Sequence, residues 1–284
     1  GIRALGHALS GRPVDALRIA AGVRHAAPTM SILRVELGLA EAIARRELGD
    51  RERALAELQA LADDIDEPRL YVPVSARLEL ALATSEDDDS ELASGELARA
   101  EALVTDNHGG ADIRQWLHSV SSSISADAGR IDDAIRSAAA IVDPFWGPVA
   151  RSRVRIVLGD MPAAAEQLAP AEPRCARHRV ILGLLSARLA SHPDHVLDHV
   201  TVAVGEASAH GMLQTVVAYG RELMDVMERA AWAVPEDWLQ RLRLAMAPGE
   251  IHLDLPAREL VEPLTDRERD VLRLLPSRLT LSEI

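Results

Sequence analysis

Five glycines in this chain are each followed, five residues later, by an alanine: Gly11 and Ala16, Gly49 and Ala54, Gly95 and Ala100, Gly129 and Ala134, Gly159 and Ala164. Successive glycines lie 38, 46, 34 and 30 residues apart. A glycine tolerates the backbone of a sharp turn, and an alanine lets one helix come close to the one before it. Amphipathic runs flank these marks. Leu33, Leu37, Ala40, Ala44 and Leu48 fall on one helical stripe, and Ala54, Leu55, Leu58, Leu61, Ala62 and Ile65 on another. Gly49 and Asp50 stand between them as turn and cap. The spacing predicts antiparallel helix pairs repeated along the chain.

Composition agrees with helices. Aromatic residues make up 2% of the 284 residues and alanine is abundant, which suits close helix contacts and disfavours a β-sandwich. Further helices are expected over 173–191, 193–210, 212–231 and 235–246, the last opening on Pro235. The acidic run Glu86–Glu91 reads as a solvated loop, and 247–263, with Pro248, Gly249, Pro256 and Pro263, as a linker. The recurring pair resembles a degenerate tetratricopeptide repeat. The expected fold is therefore all-α: a tetratricopeptide-like helical-repeat superhelix, or α-solenoid, over 1–246. A non-repeating helical bundle is the alternative.

Charge and residue usage exclude several kinds of chemistry. All 31 basic residues are arginine, so no lysine is present to serve a phosphate loop, a Schiff base or a general base. A net charge of −13 opposes nucleic-acid binding by the body of the chain. Cys175 is the single cysteine, which rules out an internal disulfide and fits a reducing compartment. No run of apolar residues reaches membrane-spanning length and no signal-peptide pattern opens the chain, so a cytoplasmic protein without membrane contact is expected. Neither a nucleophile elbow nor a His-Glu-x-x-His helix is found, and no enzyme is expected.

The last residues carry a different signal. Thr265 with Glu268, and Thr280 with Glu283, each have capping-box spacing, and Val271, Leu272 and Leu275 line one side of a short helix between them. Leu264, Thr265, Arg267, Glu268, Val271, Leu272, Leu275, Thr280, Glu283 and Ile284 together resemble the opening of a LuxR-type DNA-binding domain, with Pro276 and Arg278 departing from the pattern. Residues 264–284 are accordingly expected to be a truncated helix-turn-helix start, lacking the helix that would enter the major groove. The combination resembles the large maltose-activator-like class of LuxR-type regulators. That resemblance implies a nucleotide-binding switch domain upstream and a helical sensor that receives a small-molecule effector, often an oligosaccharide, or a regulatory protein. It also implies promoter DNA bound only through the complete C-terminal module. Self-association is a further expected partner interaction, and no cofactor is expected in these residues.

Candidate ligand contacts follow from the few aromatic rings. Trp116 lies beside Arg114, Gln115 and His118, and Phe145 adjoins Trp146 in the middle of the chain. An amphipathic ring flanked by hydrogen-bonding groups suits a sugar or another flat metabolite, whereas the plainer alternative is that these rings fill helix interfaces. Tyr71 and Tyr219 are weaker candidates. His195 and His199 are four apart, as a zinc pair on one helix face would be, but no third or fourth ligand is evident and no metal is expected. Cys175 and His178 are three apart on an expected helix, but no orienting acid is evident and the thiol reads as buried or a bystander. The expected function is the effector-sensing region of a transcription regulator, with a protein-binding helical scaffold as the alternative.

Overall fold

The computed structural model describes residues 1–26, 31–64, 69–87 and 89–246. They form one all-α unit, with no strand among the described residues. The linker expected over 247–263 and the helix-turn-helix start expected over 264–284 lie outside the described residues.

Helices follow one another as packed hairpins: α1 (Ile2–Leu9) with α2 (Pro13–Ala26), α3 (Ser31–Glu47) with α4 (Arg51–Ala62), and α5 (Tyr71–Glu86) with α6 (Ser90–Asp106). Next come α7 (Ala111–Asp127) with α8 (Ile131–Ala139), α9 (Trp146–Val157) with α10 (Met161–Leu168), and α11 (Ala176–Leu189) with α12 (Pro193–His210). Three shorter helices, α13 (Leu213–Gly220), α14 (Met224–Arg229) and α15 (Glu236–Met246), complete the unit. The single helix expected over 212–231 is instead broken at Gly220. There a Cβ would stand 2.5 Å from Met227 Cε and 3.3 Å from Leu184 Cδ2, so glycine permits the close approach of α13 to α11 and to Met227 of α14. No helix among the described residues is long and apolar enough to cross a membrane.

The hairpin turns share one geometry. Gly49 has φ +90°, its N–H donates to the Arg46 carbonyl at 3.0 Å, and the next N–H, of Asp50, donates to the Arg45 carbonyl at 2.9 Å. These are the two bonds of a Schellman ending, in which the left-handed residue satisfies carbonyls that the helix end would leave bare. Asp50 then begins α4, its own carbonyl accepting from Ala54 N–H at 3.1 Å. Gly11, Gly129 and Gly159 repeat the arrangement, which places Ala16, Ala134 and Ala164 one turn into the following helix.

Ala16, Ala54, Ala134 and Ala164 are each 0% exposed, and the residue twelve positions earlier on the preceding helix is in each case small and buried: Ala4, Ala42, Ser122 and Ser152. Where the partner is serine, its hydroxyl donates across the hairpin, from Ser122 to the Ala134 carbonyl at 3.1 Å and from Ser152 to the Ala164 carbonyl at 2.9 Å. Larger side chains fill the space on either side. Leu39 and Leu58, both 0% exposed, bring about 1.5–3 kcal/mol each from burial.

The α5–α6 hairpin keeps the contact without the glycine. Ala81 and Ala93, again twelve apart, are fully buried, and the Asp89 N–H donates to the Thr84 carbonyl at 3.1 Å. Gly95, expected in a turn, sits inside α6. The carboxylate of Asp89 supplies the cap there by accepting from Leu92 N–H at 3.0 Å. Between α6 and α7 the left-handed place is taken by His108, at φ +53°.

Gly129→Ala isolates the cost of the left-handed turn, because a Cβ there meets nothing within 4 Å. The expected loss is about 1–2 kcal/mol, read as a lower urea midpoint at unchanged slope. An unchanged midpoint would show that the turn does not depend on glycine.

Candidate functional site

The last turn of α3 carries Arg46 and Glu47, and around them the N-terminal hairpins meet the later helices. Glu47, 4% exposed, accepts from the Arg177 guanidinium of α11 at 2.6 Å, from the Thr215 N–H of α13 at 2.8 Å and from the Thr215 hydroxyl at 3.0 Å. Arg177 also donates to the Ala8 carbonyl at 3.1 Å, and its backbone N–H to the Ser10 carbonyl at 3.2 Å. Arg46 donates to Glu79 at 2.8 Å and to Glu86 at 2.6 Å, and the Gln214 amide donates to the other Glu86 oxygen at 2.8 Å. Burial alone would push the Arg46 guanidinium down, but the carboxylates of Glu86 and Glu79 outweigh it and raise it above its ordinary value. Each carboxylate of the network is held by a donor.

A cleft of about 350 Å³ lies beside this network, between the α3–α4 turn, the end of α5 and the helices α13 and α15. Leu48, Leu213, Val217 and Leu244 give it an apolar wall, and Arg51, Arg221 and Arg241 bring guanidinium groups to it. Glu86 and Asp87 also line it. Both are committed, Glu86 to Arg46 and Gln214 and Asp87 to Arg51. Arg51 further donates to the Ala83 carbonyl at 2.8 Å, while its Nη1 is buried with no hydrogen-bond partner among the described residues. Arg221 and Arg241 make no ion pair among the described residues. The uncommitted charge facing the cleft is positive. Its size falls at the lower end of small-ligand sites.

None of the six residues singled out from the aromatic pattern lines this cleft. Trp116 packs, half-buried, where two core clusters meet, one built on Leu39 and Leu58 and the other on Leu78 and Ile124. Gln115 accepts from the N–H groups of Val142 and Asp143 at 2.7 and 3.3 Å and donates to the Ala140 carbonyl at 3.3 Å, so it holds the α8–α9 connection. Arg114 is exposed and His118 half-buried. Phe145 is 0% exposed and stacks on His178 at 3.7 Å, and Trp146 meets both rings edge-on. With no exposed face, the Phe145 ring packs as part of a core cluster with Val149 and Ile181.

His178 has chemistry of its own in that stack. Its imidazole is pushed down to about 4 from the usual 6.5, chiefly by burial, against the opposing pull of Asp143. Nδ1 accepts from the Arg174 N–H at 3.3 Å, as a neutral ring can. His192, His195, Asp198 and His199 are exposed along α12. His192 accepts from the Asp194 N–H at 3.3 Å, and no group of three metal-ligating residues converges among the described residues. Cys175 stands at the N-terminal boundary of α11.

Comparison of the whole chain with family models, curated proteins and solved structures returned no match. The site thus rests on its own geometry. Sequence reasoning missed the closure because Glu47 is separated from Thr215 by 168 residues and Glu86 from Gln214 by 128, and it missed the cleft for the same reason.

Two measurements test this description. Glu47→Ala leaves the Arg177 guanidinium with the Ala8 carbonyl but no carboxylate, and the Thr215 N–H without its acceptor; an expected loss of about 3–5 kcal/mol is read by urea unfolding, and a loss under about 1 kcal/mol would count against the closure. For His178 the folded value lies below the unfolded one, so its stabilisation is complete above pH 6.5 and is lost as pH falls towards 4. In His178→Phe, which keeps a flat ring in the stack, Tm should fall less between pH 6.5 and 4 than in the parent. Parallel profiles would place the acid sensitivity elsewhere.

Proposed function

We propose that residues 1–246 are the effector-sensing region of a LuxR-type transcription regulator, a non-enzymatic helical-repeat superhelix of tetratricopeptide type acting in the cytoplasm. The recurrence of one turn and one small-residue contact through successive hairpins supports the repeat. The pattern from Leu264 to Ile284 supports the regulator. The observation that carries the sensing role is the place of the cleft. It lies between the first hairpins and α15, the helix whose last residue, Met246, leads directly into the rest of the chain.

A small molecule in that cleft would touch elements distant in sequence and α15 at once. Binding one arrangement of them better than another shifts the population of states, and the chain beyond Met246 carries that shift to the DNA-binding module. Promoter DNA is contacted only by the complete module, and a regulatory protein or a second copy of the chain would act on the same equilibrium. The reading is tested by thermal unfolding against a panel of metabolites, from neutral oligosaccharides to organic acids and sugar phosphates, with ATP as control. A selective ligand at about 100 times its Kd should stabilise the unit by roughly 2.7 kcal/mol. No shift with any member of the panel would overturn the small-molecule reading in favour of a protein-binding scaffold.

A further inference from the structure

The chemistry of the cleft is more selective than its position. In a chain of net charge −13, most of the arginines near the closure are spent on carboxylates or carbonyls: Arg46 on Glu79 and Glu86, Arg177 on Glu47 and Ala8, Arg51 on Asp87 and Ala83. Arg221, just after α13, and Arg241, on α15, are the two guanidiniums that line the cleft without such a commitment. A planar guanidinium presents paired donors that match a carboxylate or a phosphate oxygen pair. Apolar side chains line the cleft beside them: Leu244, 53% exposed, stands three residues after Arg241 on α15, and Val217 four residues before Arg221. An aliphatic group beside a pair of free guanidiniums suits a molecule with an apolar body and an anionic head.

Three other ligand chemistries fit less well. No aromatic ring lines the cleft, so a neutral sugar finds no flat face to stack on and a nucleobase none either. Divalent cations would face uncommitted positive charge, since Glu86 and Asp87 are already held by Arg46, Gln214 and Arg51. The chain's overall negative charge repels anions at a distance, so selectivity must come from contact inside the cleft rather than from steering.

We propose that this cleft binds a small organic anion, with its carboxylate or phosphate head on Arg221 and Arg241 and its apolar body against Leu213, Val217 and Leu244. The inference rests on the effector-sensing reading for the regulatory meaning of the ligand, while the binding itself stands on the cleft alone. Because Arg221 follows α13 and Arg241 belongs to α15, helices that pack on each other, the anion would bridge the two. The ligand's charge, not its body alone, is thereby made the signal.

The test is calorimetric titration of the 284-residue chain with hexyl phosphate and hexanoate, with 1-hexanol and inorganic phosphate as separated body and head. Hexyl phosphate or hexanoate should bind, whichever is tighter naming the head, and each separated part should bind roughly tenfold more weakly or worse. Arg221→Gln and Arg241→Gln should each weaken binding of that anion by roughly tenfold or more, whereas Arg114→Gln, remote from the cleft, should leave it unchanged. Both variants change exposed side chains, and unchanged helical circular dichroism confirms their folding. Leu244→Glu, which sets a like charge in the wall, should also abolish binding.

Hexanol binding as tightly as either anion, no heat from either anion, or full affinity in both arginine variants would overturn the proposal. A panel compound that stabilises the unit equally in parent and arginine variants would leave the sensing reading standing and remove this site. Conversely, arginine-dependent anion binding that leaves promoter affinity of the complete regulator unchanged would keep the site and remove the sensing reading.

Discussion

Two helices can lie side by side at their closest only where neither has a side chain in the way, and this contact sets the geometry of the whole unit. Ser122 against Ala134 and Ser152 against Ala164 both meet that condition, with a turn of fixed hydrogen bonding seven residues after the first member. The turn and the contact reinforce each other. A left-handed residue at the turn fixes the angle at which the second helix leaves, and the small pair lets that angle close without a cavity or a clash. Leucines and valines beside the pair then supply most of the burial.

The polar closure at Glu47 works by a different physics. Its carboxylate and the guanidinium of Arg177 lose their hydration on burial, and their attraction roughly offsets that loss rather than adding much to it. What the network supplies is a rule for which surfaces may meet. Arg46 spans two carboxylates and Arg177 spans a carboxylate and a carbonyl, tasks for which the forked guanidinium is suited and the point charge of lysine is not. The all-arginine usage of the chain therefore has a structural counterpart at this junction.

How much of this was legible in the sequence depended on the distance between the residues involved. The turn glycines and their alanines are five apart, and Gly11, Gly49, Gly129 and Gly159 stand where the spacing predicts. The α5–α6 hairpin escaped the pattern because it turns without glycine, and Gly95 was drawn into its place by an alanine that happened to follow. Glu86 looked solvated in a run of acids, yet it is held by Arg46 and Gln214, 40 and 128 residues away. The aromatic grouping around Trp116 and Trp146 rested on nearness in sequence, and the rings instead serve separate stretches of core. Residues that line the cleft come from positions 48 to 245, and no local spacing announces them.

Arrays of hairpins ordinarily fold from nearest-neighbour contacts alone, so they can nucleate anywhere and fray from either end. Here the bonds from Thr215 to Glu47 and from Arg177 to the Ala8 carbonyl add contacts of high sequence separation to the local contacts within the hairpins. Closing so long a loop carries an entropic cost that must be met before those bonds form, which places them late on the folding path. Once made, they tie the fate of α1 and α3 to that of α11 and α13. Loosening at one end is then felt at the other, and the unit gains an all-or-none character that a linear row of hairpins lacks.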